Sequence, residues 1–125
     1  MNTTPTKTNP RSLKKTIAQI YNKINQRFYD TGVVSQRIQI LDDCIIIFAQ
    51  QKRIAALNVL SKNYKELTIL ADAALIAEFK AQLKEEMEAA TGLRVLSVLK
   101  DYDPNSNHAC SIIIFDRASL AKELD

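Results

Sequence analysis

The sequence predicts an α+β fold: a two-layer sandwich with helices on one face of a four-stranded, mostly antiparallel sheet made of two hairpins. Segments with apolar residues at helical spacing alternate along the chain with pairs of β-rich segments, and turn-forming residues join each pair. The chain has 125 residues, of which 46% are hydrophobic and 25% charged. That balance is typical of one globular domain that buries its core without metals or disulfides. The predicted order of elements is α-β-β-α-α-β-β.

The first element is a helix that follows a polar tail. Residues 1–11 are rich in Thr, Asn and Pro, and we expect them to be a disordered tail before a single domain over residues 12–125. Ser12 is a suitable N-cap, and helical spacing continues to about Asp30. Gly32 is expected to end the helix in the left-handed conformation. The apolar stripe consists of Leu13, Ile17, Ile20, Tyr21, Ile24 and Phe28.

A β-hairpin comes next. Residues 36–41 alternate between polar and apolar, residues 44–49 are a β-branched run, and Asp42-Asp43 between them predicts a tight turn. The spacing then predicts a short helix within residues 52–63 and leaves residues 64–68 ambiguous.

A long helix and a second hairpin complete the domain. Apolar residues recur on one face from residue 69 to 91, and Gly92 fits the helix end. Residues 93–99 and 109–115 are the predicted strands, and the Asp/Asn-rich residues 101–107 are the predicted loop. Residues 118–124 predict a last helical turn or two.

The two isoleucine-rich strands indicate a protein interface. Alternate side chains of a strand point to opposite faces of the sheet, so an unbroken apolar run makes both faces apolar. Helices cover one face, and we expect a second chain, most simply in a homodimer, to cover the other. The short helix or residues 118–124 could also cover it within one chain. The candidate interface residues are Ile45, Ile46, Ile47, Phe48, Ile112, Ile113, Ile114 and Phe115.

Neither the charge distribution nor the hydropathy of the sequence indicates a nucleic-acid-binding surface or a membrane-spanning segment. Residues 1–62 carry ten Lys/Arg and three Asp, whereas residues 63–125 carry seven Lys/Arg and eleven Asp/Glu. The basic residues of the first helix spread over a wide arc, which is typical of a solvated face and gives no specific nucleic-acid signal. There is no apolar run long enough to span a membrane and no secretory signal, so we expect a cytoplasmic protein. Cys44 and Cys110 lie beside isoleucines and are expected to be buried free thiols, a disulfide between them being the less favoured alternative.

The sequence offers no catalytic or metal-binding motif, so we predict no enzyme activity, no catalytic residue, no cofactor and no metal. His108 is the only histidine and lies in a polar loop. Asp101, Asp103, Asn105 and Asn107 place oxygen atoms at alternate positions, as calcium loops do, but the Gly and Glu of an EF-hand are missing. This loop is the site of the alternative function, a small-ligand or ion sensor.

Several motifs resemble those of the MpsC-like family, a small bacterial domain family named for a cation-translocating, membrane-potential-generating system. They are the first helix with its glycine, the Asp42-Asp43 turn, the segment Glu85–Val95 (EEMEAATGLRV), and Asp101-Tyr102-Asp103-Pro104. The resemblance extends over residues 12–116. It implies the family's fold and a process such as ion or inorganic-carbon transport or its cytoplasmic machinery, but no chemistry at particular residues.

The chain departs from the family pattern at three places, where polar residues or motifs typical of the family are missing. Thr31–Val34 stands where the family has Gly-(Arg/Lys)-Gly-Pro, Gln51–Ala55 stands where it has Leu-Thr-Pro-x-Glu, and Ala71–Ala81 lacks a common arginine. The resemblance therefore implies a divergent member that keeps the fold and has a different partner. We predict a non-enzymatic protein-interaction module, that is, a regulatory, adaptor or assembly factor, whose partner protein the sequence does not identify.

Overall fold

The computed structural model describes residues 10–116. It contains three helices and four strands in the predicted order. The helices are α1 (Pro10–Tyr29), α2 (Ala55–Leu60) and α3 (Lys65–Thr91), and the strands are β1 (Ser35–Ile40), β2 (Cys44–Gln50), β3 (Val95–Asp103) and β4 (His108–Phe115).

The strands form one antiparallel sheet in the order β1-β2-β4-β3. Each hairpin thus contributes one edge strand and one central strand. Helices α1 and α3 pack on one face of this sheet, called here the inner face, and the core lies between the two layers. The predicted α+β sandwich is confirmed.

Several predicted boundaries were wrong by a few residues. Helix α1 begins at Pro10, two residues before the predicted cap, because proline is favoured in the first turn of a helix. Helix α3 begins at Lys65 and takes in the ambiguous segment. Strand β3 continues to Asp103, so the predicted loop over 101–107 shrinks to 104–107. The disordered tail was predicted over residues 1–11, of which Pro10 and Arg11 belong to α1. Residues 1–9 and the predicted last turn over 118–124 lie outside the described residues.

The two glycines have different roles. Gly92 ends α3 in the left-handed conformation, with φ of 73°, as predicted. At the end of α1 the left-handed residue is Asp30, with φ of 62°, not Gly32. The helix stops earlier than expected, and Asp tolerates this conformation better than most residues. Gly32 is needed for space, since a Cβ there would lie 2.5 Å from Oδ1 of Asn22, the atom that accepts a hydrogen bond from the Val33 amide.

Helix α3 is longer than α1 and projects beyond it. The two helices run antiparallel: Arg27 contacts Glu86, Phe28 packs on Phe79, and Thr16 lies near Ala90. The end of α1 therefore reaches only to the middle of α3. The first turns of α3 extend past it and contact the short helix α2 instead.

Candidate protein-binding surfaces

The structure divides the eight candidate interface residues into two sets of four. Four are inner-face residues of the core, at most 1% exposed: Ile45, Ile47, Ile113 and Phe115. They pack under the helices, so they cannot contact a partner across the sheet. The other four lie on the opposite face, called here the outer face: Ile46, Phe48, Ile112 and Ile114. Strand alternation predicted this division, but only the helix positions decide which set is buried.

The outer face has an apolar centre. Cross-strand neighbours Ile46 and Ile112 lie in the middle of the two central strands. Cys44, Phe48, Cys110, Ile114 and, on β3, Leu99 extend the apolar area around them. These side chains are half-buried or exposed, and among residues 10–116 no helix packs over them. An antiparallel sheet with one wet face normally alternates apolar and polar residues, so this face is unusually apolar.

Charged and polar side chains border that centre on both edges. Arg37 on β1 lies opposite Phe48, with its guanidinium 4.5 Å from the ring centroid. Asp101 and Asp103 lie on β3, opposite Cys110 and His108. The outer face therefore has a basic residue at one edge and acidic residues at the other.

A hollow of about 610 Å³ lies at one end of the outer face. It includes the predicted loop residues Asp101 and Asp103 and the imidazole of His108, which lies 3.2 Å from Nε2 of Gln50. Asn105 and Asn107 belong to the adjacent turn. Their polar groups contribute to the turn itself, since Asp103 Oδ1 accepts from the Asn105 amide and Asn107 Oδ1 accepts from the Tyr102 hydroxyl. Across residues 10–116, no group of three or more His, Cys, Asp or Glu side chains is placed to hold a metal ion.

A second apolar surface, called here the α3 surface, lies on the projecting turns of α3. Leu67, Ile69 and Leu70 are 54%, 58% and 68% exposed. Ala73, Ala74 and Ala77 continue this surface along the helix, and Val59 and Tyr64 beside it are also exposed. A helix segment that is apolar on every side is normally buried. Residues 64–68, which the sequence left ambiguous, thus lead into a helix whose solvent-exposed side is apolar.

A partly buried lysine takes part in a polar network between the two layers. Lys100 of β3 points to the inner face, where its Nζ donates to the Tyr21 hydroxyl at 2.6 Å and lies 3.9 Å from the centroid of Phe79. Tyr21, fully buried, donates in turn to Oε1 of Gln51 at 2.9 Å. Among the residues that the structure describes, Lys100 forms no ion pair.

Burial dominates the titration of this network. It lowers the pKa of Lys100 from its ordinary 10.5 to about 7, and the nearby Cys110 opposes the change. It raises the pKa of Tyr21 above its ordinary value, against the effect of the Ser111 hydroxyl. A lysine that loses its proton near neutral pH is a common feature of catalytic sites. Here Nζ of Lys100 contacts the Tyr21 hydroxyl and the rings of Tyr21 and Phe79.

Comparison with known protein families gives a match over most of the chain. Residues 9–117 match the family described as Na+-translocating membrane potential-generating system (MpsC). The chain belongs to the MpsC family. This match confirms the resemblance that the motifs indicated, and the family description connects its members with a Na+-translocating system. No curated protein and no solved structure matches the chain. None of the helices within residues 10–116 is both long and apolar enough to cross a membrane.

Sequence reasoning missed two features of this MpsC-family domain. The partly buried Lys100 could have been found from strand alternation, since Val98 and Tyr102 on the same strand share its face. The exposure of the α3 surface was not predicted, because residues 64–68 were left ambiguous and Ile69 and Leu70 were given no face. Only the relative lengths of α1 and α3 reveal that they extend past the core.

Proposed function

We propose that this protein is a non-enzymatic interaction module, an adaptor or assembly factor, that binds other proteins through apolar surfaces. The apolar outer face of the sheet carries this proposal. Leaving such a patch in water is costly, and soluble monomers seldom expose several hundred Å² of contiguous apolar area. A second copy of the chain is the proposed occupant, in a homodimer with two-fold symmetry.

The α3 surface supports the adaptor role, and we assign it to an apolar or amphipathic helix of a different protein. Its exposed large and small apolar side chains follow one another at helical spacing, and helices pack on helices through such surfaces. The α3 surface is on the helical layer, so a dimer through the outer face leaves it accessible on both copies.

The family description guides the proposed context. Because it names a Na+-translocating system, we place the partner in cytoplasmic ion-transport machinery. The hollow beside His108 favours the alternative, a small-ligand or ion sensor, since it combines an apolar floor with carboxylates at its edge. A ligand that binds there would raise the melting temperature.

Single lysine substitutions test the dimer through the outer face. Ile46→Lys and Ile112→Lys should fold and give monomers, because each places a charge at the centre of the contact. Leu70→Lys is the matched control on the α3 surface and should remain dimeric. Light scattering at tens of micromolar measures the mass. A wild-type mass of 14.1 kDa, or a dimer that survives Ile112→Lys, would contradict the proposal.

The same variants test the α3 surface. A partner captured from native lysate by wild-type protein should be retained by Ile112→Lys and lost by Leu70→Lys. The purified partner should then rebind wild type directly. Equal binding to Leu70→Lys would remove the α3 surface from the proposal.

A further inference from the structure

The outer face carries a positive charge at one edge and negative charges at the other, and these charges bear on how two copies pack. The inference drawn from them rests on the proposed dimer. Its cross-strand register aligns four residues in one row across the sheet. Arg37 of β1 is opposite Phe48 of β2, Phe48 is opposite Cys110 of β4, and Cys110 is opposite Asp101 of β3. The row therefore begins with a positive charge at one edge and ends with a negative charge at the other.

We propose that two copies pack their outer faces together about a two-fold axis parallel to the strands, with Arg37 of each copy paired to Asp101 of the other. A two-fold axis between two facing sheets lies in the plane of the interface. If it runs along the strands, it reverses the strand order, so β1 lies over the partner's β3 and β2 over the partner's β4. Positions along the strands are unchanged, and each row faces its own reversed copy.

The alternative aligned packing has its axis perpendicular to the strands. Each strand would then lie over its own copy. With this axis at the centre of the outer face, positions along each strand are reversed, so Arg37 would lie over Gln39 of the other copy. Asp101 and Asp103 would lie over the Leu99 and Ser97 positions of β3. No opposite charges would meet, and Asp101 would lie against an apolar side chain, so the pattern favours the axis along the strands.

The geometry of the side chains is compatible with this pairing. Packed sheets lie about 10 Å apart, a gap that an extended arginine and an aspartate can span together. The Arg37 guanidinium already lies over the outer face, on the Phe48 ring, and within residues 10–116 it forms no ion pair. Asp101 is exposed and uses Oδ1 to accept from the Tyr102 amide, which leaves Oδ2 for the partner.

The size of the outer face indicates a modest affinity. Four strands about 4.8 Å apart and six residues deep give a footprint of roughly 20 by 20 Å. With side-chain relief on both copies this approaches the roughly 1,000 Å² at the lower limit for specific interfaces. We therefore expect a dimer with a dissociation constant in the micromolar range, which suits measurement by sedimentation.

A charge-swap experiment tests the axis. Arg37→Asp and Asp101→Arg should each weaken dimerisation of the full chain by about tenfold or more at low salt. The double variant Arg37→Asp/Asp101→Arg should recover to within about threefold of wild type, because the pair is restored with opposite polarity. The matched control, Arg37→Asp/Glu85→Arg, has the same net charge but places the new arginine on α3, and it should stay weak.

The outcomes separate this inference from the proposed dimer. If Ile112→Lys gives a monomer but the double swap is no better than Arg37→Asp alone, the outer face is the interface and the axis is wrong. Equal recovery in the Glu85→Arg control would attribute the effect to net charge and would also overturn the pairing. If Ile112→Lys leaves the dimer intact, both the proposed interface and its geometry are refuted.

Discussion

Replacing Lys100 with methionine should change how the stability of this protein depends on pH. Methionine is unbranched and only one heavy atom shorter than lysine, and it removes the charge that burial disfavours. The pKa of Lys100 is lowered from 10.5 to about 7 in the folded state, so between those values the unfolded chain binds a proton that the folded chain does not. Stability from this group therefore rises with pH from 7 toward 10.5, and it is lowest below pH 7.

The magnitude follows from the size of the shift. One pKa unit corresponds to about 1.4 kcal/mol, so Lys100 lowers the free energy of unfolding by at most about 5 kcal/mol at pH 6 relative to a neutral side chain. Between pH 7 and pH 9.5 wild type should regain about 3 kcal/mol of this. The lost bond to Tyr21 and the lost contact with Phe79 offset part of the gain in Lys100→Met at any one pH. The difference in slope between the two proteins is therefore the cleaner quantity.

Chemical denaturation at pH 6, 7, 8, 9 and 9.5 measures this slope. The range stops there because the pKa of Tyr21 and Tyr29 is raised by burial, so their ionisation in the unfolded chain destabilises the fold at higher pH. Lys84→Met, at an exposed position on α3, is the matched control and should follow wild type. If wild type and Lys100→Met had parallel profiles within about 0.5 kcal/mol, Lys100 would keep its ordinary titration and the argument from burial would be refuted.

Three further perturbations test the fold and the loop. Arg53→Ala should cost about 3 kcal/mol, because the Arg53 side chain, 6% exposed, forms a bidentate pair with Asp72. Arg27→Ala, which removes the exposed pair with Glu86, should cost much less because solvent screens that pair. Equal losses in denaturant titrations would contradict this ranking. Gly92→Ala should lower the free energy of unfolding by about 1 kcal/mol through the positive φ alone, since nothing lies within 4 Å of the added Cβ. An unchanged denaturation midpoint would show that the backbone at this position relaxes to another φ. Millimolar calcium or magnesium should leave the melting temperature unchanged, and a rise that Asp103→Asn abolishes would favour the ion-sensor alternative.

The local pattern of the sequence was sufficient to predict the helices and strands and their order along the chain. The apolar stripe of α1, the β-branched runs of β2 and β4, and the Asp42-Asp43 turn are short-range signals, because they follow from the periods of helix and strand. Errors arose where neighbouring signals compete. The Asp- and Asn-rich residues at 101–107 predicted a loop, but pairing with β4 holds Asp101 and Asp103 in the strand, since ladder hydrogen bonds override weak local preferences.

The candidate site was predictable only to the level of a strand. An unbroken apolar run assigns side chains to both faces of a sheet, so the sequence named Ile45 and Ile46 together and could not separate them. The helices decide, because they bury Ile45 and Ile47 and leave Ile46 and Phe48 on the outer face. The sequence also does not show that Arg37 and Asp101 lie in one row across that face. Arg37 and Asp101 are 64 positions apart, and only the strand order β1-β2-β4-β3 aligns them.

The sequence by itself determined the fold class, the family and the two apolar strands, since each depends on residues close together in the chain. The tertiary structure decided which apolar residues are core and which are surface. Lys100 occupies a strand position that alternation assigns to one face, but burial lowers its pKa, and the side chains packed against it, Tyr21 and Phe79, come from two different helices. The α3 surface exists because α3 is longer than the helix packed beside it. Burial depends on all neighbours at once, and a one-dimensional pattern does not contain them.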